Sequence, residues 1–349
     1  MSHARTRLIR RPRLGRRPVL AALAAVLGTA MLAGCATGGS SGGGGDTLKV
    51  GLARTLTYMP GYLADSLGYL DEEAEKVGKK VEVVPFDSSS QSLAALAAGQ
   101  IDMDVQLAQN AARSQVQGQD LVITATLNDA GVGALVVAPG ITKPADLEGK
   151  TVGFTGKATA AYPLLLAALE RDGVDASKIN FLTISDQSTF QAALSGGDVD
   201  AILPGEPVIS KTVTDGDGKV MYDFFDRALV KEIMGGSYAS VTLMANGNFA
   251  SKNPDAVRAV TKAFERSMTW MKEHKDNPDA VLAELPDTYA NLKPIFAELF
   301  GRIEQALPEN PATDPAALKT IIDIDKQQGS IDKDKQIDVD KLYDNGHLG

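Results

Sequence analysis

Five short polar segments come at the ends of predicted strands, and their side chains could together bind a small polar molecule. The candidate ligand-binding residues in these segments carry mainly hydroxyl, amide, carboxylate and cationic groups: Arg54, Tyr58, Asp87, Ser88, Ser89, Ser90, Gln106, Gln109, Thr155, Lys157, Ala158, Thr159, Tyr162, Asp186, Gln187 and Glu206. Ligands of open α/β sheets bind beyond the ends of the strands. A few convergent polar groups can orient a small ligand in a cleft, so we expect these segments to meet at one site.

The segment 155–159 has the most distinctive chemistry. It joins a predicted strand, residues 151–154, to a predicted helix, residues 162–169, so its backbone would lie at a helix N-terminus. Unpaired N–H groups and the positive end of the helix dipole can hold an anion or a hydrogen-bond acceptor there. The alternative is an ordinary capped helix of an α/β domain, and both interpretations stay open at this stage.

Catalytic and metal-binding chemistry has few candidate groups. The histidines are His3, His274 and His347, and Cys35 is the single cysteine. The number and positions of these residues exclude an HExxH motif, a Cys/His metal cluster and a cysteine nucleophile, and the sequence has neither a Walker loop nor a GxGxxG fingerprint. The sequence therefore predicts a protein without catalytic residues, metal or cofactor, which is not an enzyme.

Two pairs of aspartates recur at a spacing of two residues. Asp102 and Asp104 form the first pair, and Asp198 and Asp200 form the second. Two acids on one strand face could serve acid–base work. Their positions at predicted turn-to-strand boundaries favour a structural role instead.

The elements that would position the polar segments alternate between strands and helices about every 20–30 residues, which is typical of a mostly parallel sheet flanked by helices. Apolar, β-branched runs predict strands at residues 47–52, 80–85, 103–106, 121–125, 133–138, 151–154, 180–184, 201–203, 219–222 and 238–244. Apolar residues at helical spacing predict a helical C-terminal part with helices at residues 255–274, 278–285, 292–307 and 315–327. A length of 349 residues favours two lobes rather than one domain.

The N-terminus has the composition of an export signal. Seven arginines in residues 5–17 precede an apolar run at residues 19–32, which is too short to span a membrane as a helix. The small residues of Leu32-Ala33-Gly34 then precede Cys35, and residues 36–46 form a flexible tether rich in glycine and serine. A plain secretory signal followed by a chance cysteine is one interpretation of these residues, and a signal in which the cysteine has a role is the other. The export route, general or twin-arginine, stays open.

The charge of the chain bears on its partners. The full chain carries a formal charge of −9, and loss of residues 1–34 removes seven arginines and no acids, which gives −16. Nucleic-acid binding needs a basic face, so this composition argues against a nucleic-acid partner.

Several motifs resemble those of the bacterial solute-binding proteins that serve ATP-driven (ABC) importers of sulfonates, nitrate, taurine and thiamine-pyrimidine precursors. The segment 146–154, DLEGKTVGF, and the small-residue loop and helix after it resemble the second lobe of this family. Residues 68–72, 99–102, 203–207 and 338–345 resemble its first helix end, its G-x-I-D turn, its Glu-Pro element at the cleft and its usual ending. Residues 32–35, LAGC, resemble the lipobox of bacterial lipoproteins, in which the cysteine is lipidated and becomes the mature N-terminus.

The resemblance implies a two-lobed type II periplasmic-binding-protein fold of the α/β class, with a mostly parallel, helix-flanked sheet in each lobe. It implies a signal peptide at residues 1–34, a lipidated Cys35 and tether at 35–46, lobe one at 47–130, lobe two at 131–238, and a return to lobe one with C-terminal helices at 239–349. It further implies a monomer held by its lipid on the outer face of the cell membrane, with a permease and an ATPase as partners. Two other classes stay open: a ligand-sensing lipoprotein, and an enzyme like the fungal pyrimidine synthases that share this fold, whose cysteine-rich motif and histidine this chain lacks.

The identity of the solute depends on the charge of the cleft. Hydroxyl and N–H donors near Arg54 and Lys157 would suit an anion such as a sulfonate. An unpaired carboxylate at Glu206 or Asp87 would repel an anion by about 1–4 kcal/mol at ~4 Å and would accept from amino or ring N–H groups instead. With Tyr58 or Tyr162 stacked on a ring, these acids favour a nitrogen-containing solute of the thiamine-pyrimidine-precursor type, with sulfonate, taurine or nitrate as the alternative.

Overall fold

A computed structural model describes residues 46–157 and 159–349. The predicted signal peptide, Cys35 and all of the predicted tether except Asp46 lie outside the described residues, as does Ala158. In the described part of the chain the strands are β1 (Thr47–Ala53), β2 (Lys80–Phe86), β3 (Met103–Leu107), β4 (Leu121–Asn128), β5 (Ala134–Val137), β6 (Thr151–Phe154), β7 (Asn180–Thr183), β8 (Ala201–Ile202), β9 (Lys219–Asp223) and β10 (Val241–Asn246).

Helices separate most of these strands and fill the C-terminal part. They are α1 (Met59–Ser66), α2 (Tyr69–Glu75), α3 (Ser89–Ala97), α4 (Gln109–Val116), α5 (Ala161–Arg171), α6 (Phe190–Ser195), α7 (Val208–Thr214), α8 (Arg227–Met234), α9 (Gly247–Lys252), α10 (Pro254–Glu273), α11 (Pro278–Ala283), α12 (Phe296–Gln305) and α13 (Pro315–Gln327). Among the helices of the described residues, none is long and apolar enough to cross a membrane.

The strands of the described residues form two five-stranded sheets. The first, sheet A, has the order β2-β1-β3-β10-β4, and the second, sheet B, has the order β7-β6-β8-β5-β9. In sheet A, β10 runs antiparallel to β3 and β4, and in sheet B, β5 runs antiparallel to β8 and β9, whereas β1 and β6 pair in parallel with both of their neighbours. In each sheet four of the five strands therefore run in the same direction and one runs against them, and the predicted α/β, two-sheet fold is confirmed.

The chain crosses between the sheets twice. Residues 129–133 lead from β4 into sheet B, and residues 235–240 lead from α8 back into β10. The two crossings lie side by side, because the N–H of Ser240 donates to the carbonyl of Asn128 at 3.0 Å. The predicted lobe boundaries, at residues 130/131 and 238/239, stay a prediction.

Packing of the apolar helix faces explains the positions of the C-terminal helices. In the twenty-residue helix α10, Val257, Phe264 and Met271 lie seven residues apart on one buried face, which packs on α1 and α2 beside sheet A. The predicted helix 292–307 begins later, at Phe296. Pro294 lies in the preceding 3-10 segment Asp287–Ile295, and a proline cannot donate the hydrogen bond that an α-helix interior requires. The predicted strand 238–244 likewise begins at Val241, after the second crossing.

Helix α12 connects the C-terminal part to sheet B. It packs against α7, which follows β8, and against α11 and the 3-10 segment Asp287–Ile295. The side chains of Phe296, Leu299 and Phe300 are buried on one side of α12. Its other side carries Arg302, which contacts acids that precede and follow α7.

Candidate functional site

A cavity of about 480 Å³ lies where strand ends of both sheets meet. Sheet A contributes residues of β3, β4 and the start of β10, and sheet B contributes the segments that follow β6, β7, β8 and β9. The carboxyl ends of parallel strands and the starts of their antiparallel neighbours share one edge of a sheet, which explains why segments so distant in sequence converge. The cavity is of the size that encloses a small organic molecule.

Many of the predicted ligand-binding residues line this cavity. They are Tyr58, Ser89, Ser90, Gln106, Thr155, Thr159, Gln187 and Glu206. Their role in binding a ligand stays a prediction, but the structure brings all five predicted polar segments to one place.

Other predicted residues lie outside the lining and have structural partners. The guanidinium of Arg54 lies 3.4 Å from the carboxylate of Asp87, and both side chains are well exposed. Ser88 caps α3 by accepting from the N–H of Gln91 at 3.3 Å. Ser88 thus has a capping contact, and the next two serines, Ser89 and Ser90, line the cavity.

Four further predicted residues also lie outside the lining. Gln109 is buried at the start of α4, Lys157 is exposed, and Asp186 accepts from the N–H of Ser188 at 2.9 Å. The ring of Tyr162 packs between Phe154 and Phe181, with ring centroids 5.2 and 5.3 Å away. Tyr162 therefore forms part of the core beneath α5 and presents no ring face to the cavity.

A buried hydrogen-bond network lies beneath the sheet A side of the cavity. The Nε2 of Gln106 lies 2.6 Å from Oδ2 of Asp104 and 3.3 Å from the hydroxyl of Tyr58, which in turn lies 3.1 Å from the hydroxyl of Ser92. The Oε1 of Gln106 accepts from Asn110, another lining residue, at 2.9 Å. Burial raises the pKa of Asp104 to about 7 and also raises the pKa of Tyr58. Two lining side chains are thus held in place by a buried acid.

Glu206 lines the sheet B side of the cavity and is not the unpaired carboxylate that the sequence suggested. Its Oε1 lies 3.2 Å from Nη1 of Arg302 and 2.9 Å from the hydroxyl of Ser210, and its Oε2 accepts from the N–H of Ser210 at 3.1 Å. Burial raises the pKa of Glu206, while the bonds from Ser210 and Arg302 lower it and leave a net increase. The guanidinium, which also contacts Asp223 and Glu298, offsets part of the charge that would have repelled an anion. This partner was not foreseeable because it comes from 96 residues further along the chain.

Helix N-termini point at the cavity from both sheets. Ala160 and Ala161, at the start of α5, line it, and Ala160 makes no side-chain capping bond. Ser89 and Ser90 begin α3 on the opposite side. First-turn N–H groups have no partner within their helix, so both ends can donate to a bound acceptor.

An apolar wall completes the cavity and was not predicted from the sequence. It consists of Leu56, Pro60, Leu93, Val105, Leu107, Leu127, Val132, Leu203, Phe225, Val241, Ile303 and Leu307. Among the lining residues that the structure describes, Glu206 is the single charged side chain. These positions carry ordinary core-type residues, and no sequence signal distinguishes an apolar residue that faces a cavity from one that faces the core.

The described ranges contain no group of three or more His, Cys, Asp or Glu side chains that could hold a metal ion.

Two mostly parallel sheets with a polar and apolar cavity at their shared strand ends define a type II periplasmic binding protein. Residues 56–278 match the NMT1/THI5-like family, and the chain belongs to that family.

Relatives of known name agree with this class. The chain is 26% identical over 328 residues to a Bacillus subtilis protein with the provisional name aliphatic sulfonates-binding protein, covering 90% of this chain and 91% of that protein. It is 28% identical over 245 residues to the taurine-binding periplasmic protein of Escherichia coli, covering 67% of this chain and 68% of the relative.

A solved structure shares the fold. The periplasmic aliphatic sulphonate binding protein SsuA from Escherichia coli aligns with a TM-score of 0.70 and 21% identity, over 87% of this chain and 99% of that chain. These relatives are binding proteins, and this chain is a solute-binding protein of the type that serves ABC importers.

Proposed function

We propose that this protein captures a small organic anion with an apolar part, such as an alkyl sulfonate, for an ABC importer. The observation that carries the proposal is the composition of the cavity. Two helix N-termini and the hydroxyl of Thr155 offer donors, Arg302 offsets part of the charge of Glu206, and an apolar wall faces the remaining space. Donors at helix N-termini suit a sulfonate group, and the wall suits an alkyl chain. The names of the relatives in Bacillus subtilis and Escherichia coli support the same class of solute.

A nitrogen-containing solute of the aminopyrimidine type is the second candidate. The carboxylate of Glu206 lines the cavity and could accept from an amino group, which is the observation in its favour. The two tyrosines predicted to stack on its ring offer little ring surface, since Tyr58 is 1% exposed and Tyr162 is 7% exposed and packed in the core. The same cavity would then use Phe225 as its aromatic contact.

Capture would proceed by closure of the two lobes around the solute. A solute that contacts both sheets favours the closed state by its differential affinity for the two states. The closed protein would then deliver its solute to a membrane permease driven by an ATPase, without catalysing a reaction.

We infer from residues 32–35 that the monomer is held on the outer face of the membrane by a lipid on Cys35. Loss of membrane attachment and of palmitate labelling in Cys35→Ala would support the anchor, and retention of both would refute it.

A thermal-shift screen of the full chain tests the class of solute. A ligand that binds the native state alone adds RT ln(1 + [L]/Kd) to its stability. Alkane-1-sulfonates of one to four carbons should raise the melting temperature progressively, because each buried CH₂ contributes about 0.8 kcal/mol. Taurine, nitrate and an aminopyrimidine serve as comparisons. A shift with the aminopyrimidine alone would refute the sulfonate proposal and favour the second candidate.

A further inference from the structure

The network beneath the cavity contains a carboxyl group for which solute binding has no direct use. Asp104 is fully buried at 0% exposure, and its Oδ1 has no hydrogen-bond partner among the described residues. Its other oxygen is bonded by Gln106, which lines the cavity. A buried polar atom without a partner is costly, so its retention calls for an explanation.

The groups around Asp104 are neutral. Tyr58 is the titratable group that faces it from the turn before α1, and Ser92 faces it from α3. The neighbouring strands pair it with Gly51 of β1 and Met244 of β10. A carboxylate in these surroundings lacks the counter-ion that Glu206 has, so protonation rather than pairing is the way to remove its charge.

The distances connect this charge to the solute. The carboxylate Oδ2 lies 2.6 Å from the Gln106 amide, and that amide belongs to the cavity lining. A solute atom in contact with Gln106 therefore lies on the order of 6 Å from the carboxylate. At that separation and an effective dielectric of about 20, an ionised Asp104 would weaken the binding of an anion by roughly a hundredfold.

We propose that Asp104 is a proton-linked positioning residue, whose protonation changes its hydrogen bond to Gln106, removes a charge behind that amide and strengthens the binding of an anionic solute. The proposal rests on the proposed function, because it needs an anionic solute in the cavity. Burial raises the pKa of Asp104 to about 7, so the change falls near neutral pH. By linkage, a bound anion raises the pKa of Asp104 in turn, and binding takes up a proton.

The experiment measures the Kd of butane-1-sulfonate by titration calorimetry on the full chain from about pH 5 to about pH 9, a range in which histidine and a raised carboxyl titrate but a sulfonate does not. The wild type should bind about tenfold to a hundredfold more weakly at the upper end, with proton uptake on binding near pH 7. Asp104→Asn should lose the proton uptake near pH 7 and the loss of affinity between about pH 6 and about pH 8. Asp102→Asn, which removes an acid two residues away that accepts from the N–H of Lys49 outside the cavity, is the matched control and should keep the wild-type slope.

A flat wild-type profile, or an unchanged slope in Asp104→Asn, would overturn the proposal. A second measurement does not need a solute. The side-chain amide signals of Gln106 in the ligand-free protein should follow an inflection near pH 7 in the wild type and lose it in Asp104→Asn. If the Gln106 signals show no inflection near pH 7, the positioning role is refuted. If they show it in a protein that binds no sulfonate at any pH, the proposed function alone is refuted. Thermal unfolding of both variants checks that each is folded.

Discussion

Replacing Arg302 with alanine should weaken both the fold and the binding of an anion. The guanidinium is 11% exposed and contacts Glu206 at 3.2 Å, Asp223 at 3.1 Å and Glu298 at 2.7 Å. The side chain of Glu206 is 3% exposed, so without Arg302 its carboxylate would stay buried with Ser210 as its remaining partner.

Two magnitudes follow from this geometry. Removal of one partner of a buried ion pair costs about 3–5 kcal/mol of unfolding free energy. At about 2.1 cal/mol/K of unfolding entropy per residue, a loss of 3 kcal/mol lowers the melting temperature of about 300 folded residues by roughly 5 °C. The uncompensated charge of Glu206 would repel an anion at ~8 Å by about 2 kcal/mol at an effective dielectric of about 20, which is roughly a thirtyfold loss of affinity.

Denaturant unfolding and calorimetric titration with butane-1-sulfonate at about pH 8, where ordinary carboxylates are ionised, would check both effects. Arg258→Ala is the matched control, because its pair with Asp255 is well exposed and should contribute less than about 1 kcal/mol. The double variant Arg302→Ala, Glu206→Gln should regain most of the affinity but not all of the stability. If Arg302→Ala cost no more than the control, or if the double variant bound no better than the single one, the ion pair would not offset the charge of Glu206 at the cavity.

Three further outcomes are expected. Phe300→Ala should cost about 3–5 kcal/mol in chemical denaturation because the ring is fully buried, whereas Leu182→Ala, at 43% exposure, should change stability by less than about 0.5 kcal/mol, and equal effects would contradict the packing described. Gly133→Ala should destabilise by about 1–3 kcal/mol, since a Cβ there would lie 2.8 Å from the carbonyl oxygen of Pro204 at a φ of +108°, and a neutral result would show that the segment relaxes. Asp104 holds its proton in the folded state up to about pH 7 but loses it near pH 4 when unfolded, so its contribution to stability declines as pH rises from ~4 to ~7. The denaturant midpoints of wild type and Asp104→Asn should therefore differ by an amount that changes across that range. A constant difference would refute this expectation.

Local patterns in the sequence predicted the strands, the C-terminal helices and the convergence of the polar segments, but not α7, α8 or α9. Strand 151–154 was predicted with its observed bounds, and the run of serines after β2 lies at a helix start as expected. These features depend on residues close together in the chain, where periodicity and capping chemistry operate.

Contacts between residues distant in the sequence determine the features that local patterns did not predict. Arg302 pairs with Glu206, and Tyr162 packs in the core instead of stacking on a ligand, because the packing of distant elements fixes both. The wall residues Ile303 and Leu307 have the same apolar character as their buried neighbours, and their contact with the cavity follows from the docking of α12 against α7.

The docking of α12 has a consequence for how the cavity is assembled. Helix α12 supplies the counter-charge of Glu206 and, with Leu307 just beyond it, part of the cavity wall, yet it lies in the last sixth of the chain. A chain that ends before Phe296 would contain the residues of all ten strands but would lack Arg302, Ile303 and Leu307. The candidate cavity and the ion pair of Glu206 are therefore complete only after residues 296–307 have docked against α7.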